Sequence, residues 1–171
     1  MEKIALIYSF NTIKTSEAAK LIIEEFDKNI LDIINAEILN RNDFLKYNKF
    51  ILGVPTWFEG ELPNYWDEFI PEIEDMDLHG KLFAIFGNGD QVNYPDNFGD
   101  AVGLMAEILE SRGGIIIGLT DTAGYTFEKS KALRNDKFLG LLLDFENQKD
   151  LNKSRINNWV NQLKIEFGFK S

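Results

Sequence analysis

A chain of 171 residues with a net charge of −10 is poorly suited to nucleic acid, which demands a concentrated basic face. It is well suited to basic protein partners that are steered in electrostatically. Hydrophobic residues at 44% and charged residues at 27% give the balance of a soluble globular protein, and the absence of cysteine excludes disulfides, thiolate metal sites and a cysteine nucleophile.

The length fits one domain spanning 1–171, enough to bury about 70% of the surface of the unfolded chain. Met1-Glu2-Lys3 leads straight into an apolar run, so no signal peptide is expected. No apolar stretch reaches the roughly 20 residues that span a bilayer, and a cytoplasmic protein without membrane insertion is expected.

Lys3 to Tyr8 predicts the first strand. From Thr15 to Lys28, the residues Ala18, Ala19, Ile22, Ile23 and Phe26 recur at helical spacing. Ile30 to Ile34 supplies a weaker second strand, and Phe50 to Val54 a third. Glu61 to Ile73 reads as a helix with Pro63 tolerated in its first turn. Leu82 to Phe86 is the fourth strand. Phe98, Ala101, Val102, Met105, Ile108 and Leu109 mark one face of a helix that stops at Gly113-Gly114. Ile115 to Leu119 begins a fifth strand. Thr120 to Lys137 is polar and turn-rich with no clear period, after which Phe138 to Leu143 resumes as an apolar run. The last helix is predicted from Ile156, Trp159, Val160, Leu163 and Phe167.

Strand and helix alternate throughout, which predicts an α/β fold with a parallel sheet and right-handed crossovers. The fifth strand is interrupted by an insertion of about 20 residues, a length of loop that is uncommon unless it serves something. Apolar runs bounded by Gly or Pro fit strands buried on both faces, and ligands of open α/β sheets sit outside the carboxyl ends of such strands.

Three loops lie at those ends. Ser9-Phe10-Asn11-Thr12-Ile13-Lys14-Thr15 follows the first strand and runs into a helix. Taken alone, its hydroxyls read first as helix caps and second as an anion cradle at a helix N-terminus. It lacks the glycine-rich Gly-Lys-Ser/Thr pattern of a nucleotide-triphosphate loop. Pro55-Thr56-Trp57-Phe58-Glu59-Gly60 follows the third strand, and Gly87-Asn88-Gly89-Asp90 with Tyr94 follows the fourth. Each presents one large aromatic among glycines that allow close backbone approach, so Trp57 and Tyr94 are expected to form a slot for a flat ligand.

Other residues carry less. Trp66, Trp159 and most phenylalanines read as core. His79, the only histidine, sits in a polar turn at the opposite end of the sheet. Acid pairs such as Glu24-Glu25 and Glu74-Asp75 are what an acidic chain yields by chance. A phosphoacceptor site needs clustered acids after the first and third strands, where this chain has Tyr8-Ser9 and Pro55-Thr56.

Taken together, the segments resemble a long-chain flavodoxin. The resemblance rests on Pro55-Thr56-Trp57 with Gly60-Glu61-Leu62, and on Gly89-Asp90-Gln91-Val92 with Tyr94 and Asp96-Asn97-Phe98. It continues through Gly124-Tyr125, Phe127, Ser130-Lys131-Ala132, Arg134-Asn135, Lys137-Phe138 and Asp144. Asn147-Gln148, Asp150-Leu151, Arg155-Ile156 and Trp159-Val160 complete it.

This resemblance implies a doubly wound five-stranded sheet in the order 2-1-3-4-5, FMN as cofactor, and electron transfer rather than enzymatic turnover. It also implies a monomer working between a flavodoxin reductase-type donor and acceptor enzymes with basic docking faces. Trp57 and Tyr94 would flank the flavin ring, and Thr56, Asn88, Gly89 and Asp90 would meet its edge and ribityl chain, with Asn97, Phe98 and Glu146 contributing. Phe58-Glu59-Gly60 would lie near the reactive ring edge, and Ser9 to Thr15 would take the phosphate. The chain departs from the family at Phe10, where Ser or Thr is usual, at Ile13, where a small residue is usual, at Phe58 in place of Asn, and at Thr120 in place of Trp. That apolar shift leaves an alternative, a repurposed crevice for another planar ligand such as heme or a related tetrapyrrole.

Overall fold

The apolar runs fold into the interior of a parallel sheet, in a computed structural model that describes residues 2–169. Strand β1 (Ile4–Tyr8) lies between β2 (Leu31–Asn35) and β3 (Lys49–Gly53). Outside β3 lie β4 (Leu82–Asn88) and then β5 (Ile115–Ile117), giving the order β2-β1-β3-β4-β5. Ile4, Leu6, Phe50, Ile51, Leu52, Phe83, Ala84 and Ile85 are fully buried, as expected for strands covered on both faces.

Helices α1 (Lys14–Glu25) and α5 (Asn152–Glu166) cover one face, packing Ile22, Trp159 and Leu163 onto Leu6, Ile51 and Ala84. On the other face lie α2 (Arg41–Lys46), α3 (Asn64–Glu74) and α4 (Asp100–Ser111), over Phe50, Leu52, Phe83 and Ile85. There Phe50 stacks on Phe83 at 4.7 Å and meets Phe44 in a tilted contact at 4.8 Å, contacts worth about 0.5–1.5 kcal/mol each beyond their buried area. The Trp66 indole donates to the Gly53 carbonyl at 2.9 Å and the Trp159 indole to the Gly118 carbonyl at 2.8 Å, so both buried rings satisfy their polar atom.

The interrupted fifth strand has a definite form. Leu82, Phe83 and Ala84 of β4 pair with β5, and farther along Phe86, Gly87 and Asn88 pair with β9 (Leu141–Leu143). Two short segments thus share one edge of β4. Between them lies a small antiparallel sheet of β6 (Thr120–Asp121), β7 (Leu133–Arg134) and β8 (Lys137–Phe138), in the order β6-β8-β7. This order was not visible as a period because each strand is only two residues long. The β7–β8 hairpin turns through Asn135 (φ 52°) and Asp136 (φ 64°), the left-handed pair that a tight two-residue turn requires.

Most strand ends shift by one or two residues, the short helix α2 was not read from the sequence, and three helix boundaries differ for definite reasons. Helix α1 ends at Glu25 rather than Lys28, because Phe26 turns to extended backbone. Helix α3 begins at Asn64 rather than Glu61, with Pro63 at its cap instead of inside its first turn. Glu61 is unavailable because it exchanges both backbone hydrogen bonds with Trp57, each at 2.8 Å. Helix α4 begins at Asp100, leaving Phe98 in the preceding loop.

Candidate functional site

The carboxyl ends of β1, β3, β4 and β9 gather four loops around one crevice. It comprises two adjoining cavities of about 230 and 350 Å³, which share Lys14, Thr56 and Asn88. The first is further lined by Phe58, Gly89, Asp90, Tyr94, Asn97, Phe145 and Glu146. The second is lined by Asn11, Thr12, Ile13, Thr15, Pro55 and Trp57.

Most residues singled out from the sequence therefore meet here, and five do not line the crevice. Ser9 is buried beneath it, and Phe10 is half exposed beside the Tyr8 ring at 5.1 Å. Glu59 is exposed, and Gly60 is buried against Asp100. Phe98 is a correction to the sequence reading. It is fully buried among Tyr125, Phe127 and Phe138, because α4 starts after it and its ring turns toward the insertion. Phe145 lines the crevice and was not expected there; its only signal was its place directly after the resumed strand.

Trp57 and Tyr94 are divided between the two cavities rather than enclosing one gap. The bridge to Glu61 fixes Trp57, whose ring stands edge-on to Tyr65 at 5.9 Å and to Phe58 at 6.5 Å. Tyr94 is half exposed on the opposite loop. The turn carrying Phe58 holds that residue at φ 50°, a conformation costly for a bulky side chain.

Gly89 lines the first cavity, and packing beneath the loops makes a further demand on the glycines. A Cβ on Gly89 would lie 2.8 Å from the Phe98 ring, and one on Gly60 would lie 2.6 Å from Asp100 Oδ2. Packing beneath the loops thus excludes side chains at both positions, and Gly60 also holds φ 95°.

At the start of α1 the capping reading fails. The cap position is Ile13, and no side chain caps the helix. The Thr12 hydroxyl turns back to the Ser9 carbonyl at 2.7 Å. Among the described residues, the backbone N–H groups of Lys14, Thr15 and Ser16 have no acceptor, so the positive end of the helix dipole faces the second cavity. Lys14 is itself ion-paired with Glu146 across the crevice.

A carboxylate that the sequence did not flag also reaches this loop. Glu37, in the turn after β2, accepts from the Ser9 hydroxyl and, at 2.8 Å, from the Asn11 amide. The Ser9 bond first and the Asn11 bond second hold the Glu37 carboxyl below its ordinary value.

Asp90 anchors the loop after β4. It accepts from the backbone N–H of Val92 (3.0 Å) and Asn93 (2.9 Å), from the Asn93 amide and from the Asn147 amide, both at 2.8 Å. Partial burial pushes its carboxyl upward, but these donors outweigh it and the net shift is downward. Asp144, fully buried, takes the Gln91 backbone and side-chain amides, and Gln91 in turn accepts from Thr126 of the insertion. The Thr56 hydroxyl accepts from Ala101 N–H at 3.1 Å, which leaves its proton available to the crevice.

The flavodoxin family model matches residues 6–159. A flavodoxin of Nostoc sp. is 47% identical over 170 residues, covering 98% of each chain. Flavodoxin 1 of Escherichia coli is 39% identical over 162 residues, covering 94% of this chain and 92% of that protein. A solved structure of Fusobacterium nucleatum flavodoxin bound to flavin mononucleotide superposes with a TM-score of 0.91 at 29% identity, covering 99% of this chain and 100% of that one. In sequence and in fold alike, the chain belongs to the flavodoxin family.

Proposed function

We propose that this flavodoxin-family chain holds FMN in the double crevice and carries electrons between redox partners, without bond-making chemistry by its own side chains. The observation that carries this reading is the pairing of the two cavities across Thr56 and Asn88. One is walled by aromatic and acidic residues, as a flavin ring needs. The other ends on the free N–H groups of α1, as a phosphate needs. Asn88 lines both cavities, and its buried Oδ1 has no hydrogen-bond partner among the described residues. Such an orphan acceptor costs about 1–3 kcal/mol unless a ligand donor meets it.

When bound, FMN supplies one- and two-electron chemistry. In this arrangement Tyr94 would wall the ring in the first cavity and Trp57 would approach it from the adjoining one, while Thr56, Asn88, Gly89, Asp90 and Asn97 would take its polar edge and ribityl chain. The turn from Asn11 to Ile13 and the first residues of α1, Lys14 and Thr15, would take the phosphate. Phe58 shields the outer edge, and Asp90 with Glu146 maintains negative charge that opposes added electrons and lowers the potential. The net charge of −10 steers reductase-type donors and acceptor enzymes with basic faces onto the crevice, where an exposed ring edge permits outer-sphere transfer from a monomer. No observation here favours a tetrapyrrole in the same slot. No helix among the described residues is long and apolar enough to cross a membrane.

The test is the visible spectrum of the purified protein, followed by fluorescence titration of its flavin-free form with FMN. Flavin bands with saturable quenching at or below micromolar concentration are expected. Flavin that stays fully fluorescent at micromolar protein would overturn the reading.

A further inference from the structure

We infer that Glu37 sets the cofactor specificity of the crevice by weakening its preference for phosphorylated over unphosphorylated flavin. This inference rests on the FMN reading and concerns only the phosphate end of that site. Three observations meet there. First, the Glu37 carboxylate takes the hydroxyl proton of Ser9, which is only 1% exposed and accepts from the Asn11 N–H with its oxygen. A serine has one proton to donate, so Ser9 cannot serve Glu37 and a phosphate oxygen together. Second, one of the two amide protons of Asn11 is taken by the same Glu37 oxygen.

Third, the cations near this end among the described residues are already paired and do not offset the added negative charge. Lys14, the one basic side chain of the loop, is paired with Glu146, and Lys149 stands 3.9 Å from Glu17 in the first turn of α1. Phe10, at the neighbouring position, has no polar group to add. A phosphate dianion at this end therefore meets backbone N–H groups, competes with a carboxylate for the Asn11 amide at the cavity wall, finds the Ser9 hydroxyl beneath it already committed, and is repelled by the carboxylate charge. The flavin ring and ribityl chain, held by the other cavity, experience none of this. A flavin lacking the phosphate thus loses less here than it would at a phosphate end with free donors.

The experiment titrates flavin-free protein with FMN and with riboflavin, following flavin fluorescence, in the wild type, in Glu37→Gln and in Glu68→Gln. Gln at 37 keeps a hydrogen-bond acceptor and removes the charge. Glu68, exposed on α3, lines a neighbouring cavity together with Glu37 but makes no bond to the loop, and is the control for a nearby charge that takes none of its donors. Glu37→Gln is expected to tighten FMN about tenfold, equivalent to about 1.4 kcal/mol, and to leave riboflavin within about twofold. Glu68→Gln is expected to change neither. An unchanged FMN-to-riboflavin ratio in Glu37→Gln would overturn the inference, as would an equal gain in Glu68→Gln, which would assign the effect to the general field of the acidic surface rather than to Glu37. Failure of the wild type to quench either flavin would instead remove the FMN reading on which the inference stands.

Discussion

The Asn147 side-chain amide donates to the Asp90 carboxylate at 2.8 Å, joining two loops that are 57 positions apart in the chain. The same amide lies 2.9 Å and 3.1 Å from the two oxygens of buried Asp144. One neutral donor thus holds two carboxylates that would otherwise repel each other, and with them the loop that walls the crevice. Replacing Asn147 with Ala is expected to weaken FMN binding about tenfold and to lower stability by about 1–3 kcal/mol, since bonds to charged groups are at stake. Asn147→Asp should cost more, because it places a third carboxylate in the group. Parallel urea unfolding and flavin titration would check both.

Phe58 combines a left-handed backbone with a 73% exposed side chain beside the crevice. Gly adopts that backbone freely, and the strain relieved is about 1–2 kcal/mol, partly offset by the greater entropy of Gly in the unfolded chain. Phe58→Gly is therefore expected to leave the flavin-free protein equally stable or up to about 1 kcal/mol more stable. The same change should loosen FMN several-fold by uncovering its edge. Thermal unfolding without flavin separates the first effect from the second, and a clear fall in stability would show that the Phe58 ring, not its backbone, decides this turn.

Gly103 on α4 lies directly under the insertion. A Cβ there would be 2.1 Å from the Lys131 carbonyl oxygen and 2.7 Å from Ala132 N, both backbone atoms with little room to move. The strand of contact is reinforced by Lys131 N–H donating to buried Asp100 at 2.8 Å. Gly103→Ala is expected to destabilise by about 1–3 kcal/mol through overpacking. Hydrogen exchange should rise first in 120–138 while the central strands stay protected. Unchanged exchange in that segment would mean that the insertion is not held by α4.

The Tyr47 hydroxyl donates to Asp32 at 2.6 Å, tying β2 to the turn before β3. This bond is the main cause that lowers the Asp32 carboxyl, and burial followed by the same bond pushes the Tyr47 hydroxyl up to about 12. The lowered acid contributes stability above about pH 4 that is lost as pH falls. The raised phenol contributes stability below about pH 10 that is lost as pH rises toward 12. Tyr47→Phe is expected to cost about 0.5–1.5 kcal/mol at neutral pH and to flatten both limbs of the stability profile. Part of the alkaline limb should remain, because burial also raises Tyr125 to about 12. Denaturant midpoints measured from pH 3 to 11 test this.

The hairpin in the insertion shows where local reading could have gone further. Asn135-Asp136 between Arg134 and Lys137 is a turn signature written in adjacent residues, and the structure uses it as one. By contrast, the boundary at Asn64 could not be read locally. Pro63 permits a helix to start at either side of it, and only the bridge from Trp57 to Glu61 decides.

The sequence by itself determined the strands of the main sheet, their parallel order through the family pattern, and the three loops at their carboxyl ends. Apolar runs and glycine breaks are local signals with a fixed physical period, so they survive without coordinates. Tertiary structure decided which side chains share the crevice. It turned Phe98 inward against the insertion, brought Phe145 to the wall and set Asn147 between Asp90 and Asp144. It also carried Glu37 across from the end of β2 to the donors of Ser9 and Asn11, because β2 lies beside β1 in the sheet. Spacing along the chain holds no record of such contacts; they exist only when distant strands lie side by side.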